Sequence, residues 1–339
     1  MADAPFVIGS LAVNPNLVND YARAFFNDRI EEFSAGWDGC IRRFNPSDEV
    51  LPGTQVNVPR LVMVPAATRI DPTNTAAVDS AAGPTSKQGR GPVLLWGVPV
   101  QECFDHAVRA YKRNNVALEA EMAEMMVRRI INGRKLNMLA ALRGALAAMS
   151  TSAHIEDETS ASTKTAQLTD LMDAKALLGD AQAALRVWVM HSRVWLRLKK
   201  DIVTGSNYNI ERIGDEVVIG GVPGLEGLKI HLCDDGTVVA GASSGAHTYY
   251  TFGLGEDAVW MQDAPRTPLF TATMNVDKRA RSYKFAMEDV CALGIFGMDM
   301  SANNASPTEA QLYTSGNWSE AFSHDHRDVK AVILKTQGD

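Results

Sequence analysis

The hydrophobic pattern is most regular between residues 115 and 150, a stretch that has no proline and is rich in strong helix formers. Polar residues recur there at steps of three and four, which predicts one polar stripe along a helix, formed by Glu121, Glu124, Arg128 and Asn132. After Gly133 the pattern changes phase, because the leucines that follow fall on the side where the stripe was polar. We therefore expect a long helix that is bent or broken near Gly133, or that packs on different sides along its length.

A second helical pattern runs from residue 17 to residue 36, where Gly36 is a suitable stop. Three aromatic residues share one side of this helix: Tyr21, Phe25 and Phe26. Aromatic side chains on a terminal helix indicate docking, either on a neighbouring molecule or on the protein's own domain. The pattern alone does not choose between the two.

Two apolar segments, 54–64 and 92–100, flank a stretch that cannot build a core. The first begins with strand-like alternation, and Pro59 restricts it to an edge or outlying strand. Residues 65–91 between them are dominated by Ala, Thr, Gly, Pro and Ser. A structureless loop of this length is unusual inside a compact domain, so we predict a long hairpin that projects from the body.

The rest of the chain mixes short helical and strand patterns, which predicts an α+β fold. Asp234, Asp235 and Gly236 have the composition of a hairpin turn. The further predicted elements, in chain order, are a helix over 101–114, a short helix over 169–179, a buried strand over 185–191, a helix capped by Ser192, short strands up to residue 263, paired strands over 269–299, a capping-box helix start at 306–309 and a final strand over 329–335.

Composition and charge exclude several classes of protein. The formal net charge is −7 and no basic block is present, which argues against a dedicated nucleic-acid-binding domain. No apolar run approaches the roughly 20 residues that cross a membrane, and the N-terminus lacks the basic and apolar regions of a secretory signal. Four scattered cysteines without a CxxC motif indicate reduced thiols rather than disulfides: Cys40, Cys103, Cys233 and Cys291.

Candidate chemistry is sparse. His324 and His326 flank Asp325 and would share one face of a strand, but no third ligand lies near them in sequence, so a solvated pair is the better interpretation. His191 and Ser192 follow a buried strand without the glycines of a nucleophile elbow, and a helix cap accounts for Ser192.

The glycine-rich and methionine-rich segments do not change this. Residues 219–227 and 241–245 lack the lysine and the strand-to-helix context of a phosphate loop. Met122, Met125 and Met126 are interpreted as core residues. We therefore predict no enzyme, no cofactor and no metal site.

The order of these parts resembles the major capsid proteins of tailed bacteriophages, whose fold is the Hong Kong 97 type. Residues 173–203 are similar to the start of the family's axial domain through Leu178-Gly179-Asp180 and Val189-Met190-His191-Ser192. Residues 306–335 are similar to the family's ending through Pro307-Thr308, Leu312, Asn317-Trp318 and the final strand. The resemblance implies an N-terminal arm (1–45), an extended loop and its base (46–100), a peripheral domain with a spine helix (101–165), an axial domain (166–295) and a return of the chain to the peripheral domain (296–339).

The resemblance also implies function. Hexamers and pentamers of the protein itself would form an icosahedral shell around double-stranded DNA in the virion, after assembly in the host cytoplasm. A separate scaffolding protein and a portal are implied partners, with a decoration protein as a further one, and no membrane is involved. We expect the arm and the loop to contact neighbouring subunits through Tyr21, Phe25, Phe26, Val56, Val58, Val93, Leu94 and Trp96.

Two alternatives remain at this point. One is an encapsulin-like nanocompartment shell, which shares the fold but encloses a cargo enzyme. The other, less favoured, is a hydrolase that uses His191 or His324 in a cleft.

The shell is predicted to hold without covalent links. Some members of the family join a lysine of the extended loop to an asparagine of a neighbour. Lys87 is the one lysine between residues 46 and 98, and Asn303, Asn304 and Asn317 are the candidate partners. Mature particles should therefore run as monomers on denaturing gels, with or without reducing agent. A ladder of larger species that disappears in Lys87→Ala would contradict this prediction.

Overall fold

The computed structural model describes residues 15–37, 39–61, 86–104, 118–149, 154–160, 165–204, 211–213, 216–218, 228–240, 247–265, 269–276, 281–301, 307–321 and 329–338, and the structural statements below concern those residues. Their helices are α1 (Pro15–Gly36), α2 (Leu118–Ala148), α3 (Leu168–Ala176), α4 (Ser192–Thr204) and α5 (Glu309–Leu312). Their strands are β1 (Ile41–Phe44), β2 (Gln55–Leu61), β3 (Ser86–Phe104), β4 (Ile155–Asp157), β5 (Leu185–Met190), β6 (Glu211–Ile213), β7 (Glu216–Val218), β8 (Lys229–Leu232), β9 (Val238–Ala240), β10 (His247–Gly255), β11 (Val259–Asp263), β12 (Leu269–Val276), β13 (Arg281–Ile295), β14 (Met298–Met300), β15 (Trp318–Glu320) and β16 (Ala331–Gly338).

Two six-stranded sheets organise the fold. The first sheet has the order β1-β11-β13-β3-β2, and β12 also pairs with β13. The second sheet has the order β4-β16-β10-β5-β8, and β9 also pairs with β10. In the second sheet, β5 and β8 are parallel neighbours joined through α4, which is the crossover connection that parallel strands require.

The main hydrophobic core lies where α2 meets both sheets. It joins the C-terminal half of α2, through Leu139 and Leu142, to Leu293 of the first sheet and Phe252 of the second. A separate cluster on the far side of the second sheet buries α3 and α4. Another covers the far side of the first sheet around Trp260. Each sheet is therefore covered on two faces, which explains why β5 and β11 are buried along almost their whole length.

Helix α2 is continuous through Gly133. Of the two predicted alternatives, a helix that packs on different sides along its length is therefore correct, and a break near Gly133 is not. Its first half buries Met122, Met126 and Ile130 against α1. Its second half turns a different side toward the main core. The change of phase in the sequence therefore marks a change of packing partner along one helix about 47 Å long.

The predicted hairpin is present, with different limits. β2 pairs with β3 in antiparallel register from Gln55 opposite Pro92 to Leu61 opposite Ser86. β3 begins at Ser86, so the end of the segment predicted to be loop is strand. β3 also continues to Phe104, where a helix was predicted from residue 101, because its far end pairs with β13 up to Phe104 opposite Ser282. The remainder of that predicted helix lies outside the described residues.

Two local predictions are corrected. Asp234, Asp235 and Gly236 form a turn with Gly236 at a φ of +79°, but β8 and β9 on either side pair with different strands rather than with each other. The capping box near residue 306 lies two residues later than expected. Thr308 is the cap, its N–H donates to Oε1 of Gln311 at 2.8 Å, and the helix begins at Glu309.

Gly144 sets how closely the C-terminal segment approaches α2. A Cβ at this position would lie against the carbonyl oxygen of Leu312 and 2.8 Å from Nε1 of Trp318. Those two groups hydrogen-bond to each other, with Trp318 Nε1–H donating to Leu312 O at 2.7 Å. The absence of a side chain at Gly144 thus allows β15 and α5 to dock on the helix.

Gly144→Ala should destabilise the protein, although alanine is the better helix former by about 1 kcal/mol. The added methyl forces apart a close contact that includes backbone, so we expect a loss of about 1–3 kcal/mol in the free energy of unfolding, measured by urea denaturation. Gly316→Ala is the matched control, because a Cβ there would meet no atom within 4 Å. An equal effect of the two substitutions would contradict the packing role.

Candidate assembly interface

The aromatic residues of α1 divide between its own domain and its surface. Phe26 is buried against α2 together with Ala22 and Ile30. Tyr21 is 39% exposed and Phe25 is partly buried, with their ring centroids 6.4 Å apart. Docking on the protein's own domain, one of the two alternatives, therefore holds for Phe26. Phe25 packs against the same cluster but is only partly buried, and Tyr21 is exposed, so both stay candidates for contact with a neighbour.

The apolar residues of the hairpin are covered by their own chain. One face of the first sheet carries Val56, Val58 and Val93, which pack there with Trp260. Leu94 points to the opposite face and belongs to the main core. These side chains anchor the hairpin base, and in this conformation they present no surface to a second copy. The side chain of Trp96 lies outside the described residues, although its backbone pairs opposite Asp289.

Polar contacts fix the same hairpin from outside. Nε2 of Gln55 donates to the carbonyl oxygens of Met300 and Ser301 at 3.1 and 3.0 Å. The backbone N–H of Arg90 donates to Oδ1 of Asp299 at 2.6 Å. The two strands that lead toward residues 62–85 are thus held on both sides by one segment, residues 299–301.

A buried ion-pair cluster, which none of the predictions from the sequence included, connects this sheet to α2. Arg134 is 1% exposed and Asp289 is fully buried. The guanidinium donates from Nε and Nη2 to the two carboxylate oxygens of Asp289, each at 2.7 Å, and from Nη1 to Oδ1 of Asp263 at 2.6 Å. Arg43 of β1 donates to the other oxygen of Asp263 at 3.1 Å.

The surroundings favour the charged form of Arg134. Burial opposes the charge, but the carboxylates of Asp289 and Asp263 outweigh burial and raise the pKa of Arg134 above its ordinary value. The ring of Phe26 lies beneath the guanidinium, 4.8 Å from centroid to Cζ. Helix α1, helix α2 and strands β1, β11 and β13 therefore meet in this one cluster of side chains.

A signal for this cluster exists in the sequence. Asp289 lies two residues after Met287 and two residues before Cys291 in a strand. Because side chains alternate between the two faces of a strand, Asp289 shares the buried face of Met287 and Cys291. A carboxylate on a buried face requires a cation. The sequence does not show which of the 33 lysines and arginines supplies it.

The outer face of α2 carries the predicted polar stripe. Glu121, Arg128, Arg129 and Asn132 line a shallow groove, in which Nη2 of Arg128 lies 2.7 Å from Oε1 of Glu124. Met125 lies in the same groove and is 40% exposed, so its assignment to the core is wrong, whereas Met122 and Met126 are buried as predicted. The helical phase places Met125 between the polar stripe and the apolar side.

The residues weighed for catalysis form a helix cap instead. Ser192 is the first residue of α4, and its N–H donates to Oδ1 of Asp234 at 2.8 Å. Nδ1 of His191 accepts the N–H of Arg193 at 3.0 Å, and burial lowers the pKa of His191. The helix is thus capped by His191 and Asp234, and Ser192 supplies donors rather than the cap acceptor that was predicted.

The other candidates give no site among the described residues. No group of three or more His, Cys, Asp or Glu side chains is arranged there to hold a metal ion, and no helix there is long and apolar enough to span a bilayer. His324 and His326, as well as Asn303 and Asn304, lie outside the described residues. Nδ2 of Asn317 donates to the carbonyl oxygen of Gln311 at 2.9 Å. Cys40, Cys233 and Cys291 are buried thiols, and within the described part of the chain none of them forms a disulfide.

Comparison with solved structures identifies the class of fold. The capsid protein of Ralstonia phage GP4 superposes with a TM-score of 0.54 at 10% identity, covering 88% of this chain and 87% of that one. The capsid protein of cyanophage Pam1 gives 0.51 at 13% identity, covering 89% and 91%. The capsid protein of a native GTA particle gives 0.53 at 12% identity, covering 89% and 90%. The chain therefore has the Hong Kong 97-type capsid fold, as its sequence predicted.

The sequence identifies the family. A model of the major capsid protein 13-like family (Gp13-like) matches residues 97–332, well over half of the chain. The chain belongs to this family and is a capsid shell protein, which favours the capsid over the nanocompartment alternative. No curated protein matches the sequence.

Arg134→Met should destabilise the protein by about 3–5 kcal/mol, because it leaves the buried carboxylate of Asp289 without a partner. Arg134→Lys should recover part of this loss, since it restores the charge but not the two parallel hydrogen bonds. Urea denaturation of the unassembled protein measures both. Arg128→Met is the control on the same helix, because its ion pair with Glu124 is exposed to solvent and should contribute little. If Arg134→Met and Arg128→Met behaved alike, the cluster would not be what holds α2 to the sheet.

Proposed function

We propose that this protein forms the icosahedral shell of a tailed bacteriophage, built from hexamers and pentamers of itself around double-stranded DNA. Family membership and the titles of the structural neighbours support this proposal. The observation that carries it is the hairpin of β2 and β3. Its base is fixed to the body by a buried apolar cluster and by residues 299–301, whereas residues 65–85, most of the segment between the strands, have almost no side chains suited to a core.

This anchoring is the basis on which we assign a role to each segment of the chain. Residues 46–100 serve as the extended loop and its base, and residues 62–85 reach a neighbouring copy. Residues 1–45 serve as an arm whose helix α1 is fixed by Phe26 and offers Tyr21 and Phe25 to a neighbour. Residues 101–165 form the peripheral domain with α2 as its spine, 166–295 the axial domain, and 296–339 return to the peripheral domain.

The protein acts as a structural component and not as an enzyme. The hydrogen bonds of His191, Ser192 and Asp234 support this, because all three are used to begin α4. The shell is part of the virion and assembles in the host cytoplasm, with a separate scaffolding protein and a portal as partners and a decoration protein as a further one. The DNA is enclosed without sequence-specific binding, in keeping with the net charge of −7.

Replacement of residues 64–83 by a short Gly-Ser turn tests the proposal. The change leaves β2 and β3 complete, and loop closure depends weakly on length, about 0.6 kcal/mol per doubling. We expect the parent, expressed with its scaffolding and portal genes, to give closed particles tens of nanometres wide in negative stain. The shortened variant should keep the parent's circular dichroism and free energy of unfolding but form no shells.

The experiment tests the shell function and the loop assignment separately. If the parent remains monomeric under every assembly condition, the shell function is wrong. If the parent assembles and the shortened variant forms equally stable particles, the function stands and the loop assignment is wrong. A shortened variant that unfolds would place residues 64–83 in the protein's own core.

A further inference from the structure

Helix α4 is basic, whereas the chain as a whole is acidic. Its 13 residues contain four basic side chains and one acidic one, whereas the whole chain has a net charge of −7. Val194 and Leu198 are buried beneath the helix in the cluster that covers the second sheet. Arg193 and Arg197 are exposed, and Leu196 between them is 55% exposed. An apolar side chain held among arginines at the surface is suited to contact with another protein.

The exposed side of α4 forms one wall of a groove. Arg193, Leu196, Arg197 and Lys200 line it from the helix. Thr165, Ala166 and the last residues of β16 line it from the other side. Asp201 lies 3.9 Å from Arg197, one turn along the helix, so the charge of Arg197 is partly balanced within α4. The groove therefore has a basic wall with an apolar residue at its middle.

The edge of the same sheet that is formed by β4, with α3 packed beside it, is acidic. Glu156 lies on β4, Glu158 follows it, and Asp173 lies on α3. Burial, and then repulsion from Glu158 and Asp173, raise the pKa of Glu156, so these carboxylates are close enough to oppose one another's ionisation. The positive charge of Lys335 balances the negative charge of the neighbouring Asp157, with 2.6 Å between Nζ of Lys335 and Oδ2 of Asp157.

The two charged regions lie over the same face of this sheet, and the groove of α4 extends to β16, the neighbour of the edge strand β4. The strand order β4-β16-β10-β5-β8 puts β4 at one edge and β8 at the other. Helix α3 packs on β4 and β16, and α4 connects β5 to β8. Both helices are buried in the same cluster and so cover the same face of the sheet. A contact between different patches of two identical subunits is heterologous, and such contacts close into rings when the rotation permits.

We propose that the basic groove of α4 binds the acidic β4–α3 flank of the next copy of this chain, and that this head-to-tail contact orders subunits within the rings of the shell. The proposal rests on the shell function proposed above. Charge complementarity within one sequence favours a second copy as the occupant, because each copy carries both halves of the contact. The exposed Leu196 favours a protein surface over a polyanion, for which basic side chains alone would suffice.

Charge reversal tests the contact in the full-length protein under conditions where the parent assembles. Arg193→Glu/Arg197→Glu places like charges across the junction, as does Glu158→Lys/Asp173→Lys from the other side. We expect each double variant to raise the protein concentration at which particles form by about tenfold or more. The quadruple variant restores opposite charges at every junction and should return most of the assembly. Particle yield is measured by light scattering and negative stain, and folding by circular dichroism and thermal unfolding.

The controls separate charge from packing. Arg193→Lys/Arg197→Lys keeps both positive charges and should assemble like the parent. Raising the salt concentration should weaken assembly of the parent and reduce the difference between the parent and the double variants.

Three outcomes would overturn the contact. The first is that both double variants assemble like the parent, and the second is that the folded quadruple variant is not rescued. The third is that Arg193→Glu/Arg197→Glu assembles normally but loses retention on heparin or duplex DNA, which would make the groove a polyanion site. A parent that never assembles would instead count against the shell function itself.

Discussion

The buried guanidinium of Arg134 is the constraint on which the rest of the structure depends. A charge removed from water is tolerated only where carboxylates and hydrogen bonds replace its hydration, and Asp289 and Asp263 supply three such bonds. Hydrophobic contacts alone would permit α2 to slide or rotate on the first sheet at small cost. A planar donor group with two carboxylate partners permits one register, which makes geometric specificity the plausible reason for so costly a group.

This register brings distant parts of the chain to one place. Arg134 lies 129 residues from Asp263 and 155 residues from Asp289 in sequence. Its contact with Phe26 adds α1, and the bond from Arg43 to Asp263 adds β1. Strand β13, which carries Asp289, is also the partner of β3 and hence of the hairpin. Helix α2 and the base of the β2–β3 hairpin are therefore fixed to the same strand, so their relative position is set within each subunit.

A shell protein needs surfaces that associate without aggregating in the free state. The described apolar side chains of the hairpin base, Val56, Val58, Val93 and Leu94, are covered by the subunit's own core. The large apolar side chains that are exposed in the described part of the chain are spread over different elements, including Tyr21, Met125, Leu196 and Tyr313. Many weak contacts repeated around a closed shell give a stable assembly by multivalency.

The sequence by itself determined the elements that have a period and the order in which they occur. The long helix, the hairpin, the buried strand β5 and the final strand were predicted because propensity and alternation are local properties, and their order led to the correct fold. Tertiary structure decided the features that depend on distant partners. These are the end of β3, the separate partners of β8 and β9, and the burial of Val56 and Phe26. In each of these, a residue's environment comes from a strand or helix far along the chain. Arg134 and Asp289 show this most clearly. In the sequence each is a charged residue at a position whose neighbours predict burial, and only the fold brings the two side chains to 2.7 Å from each other.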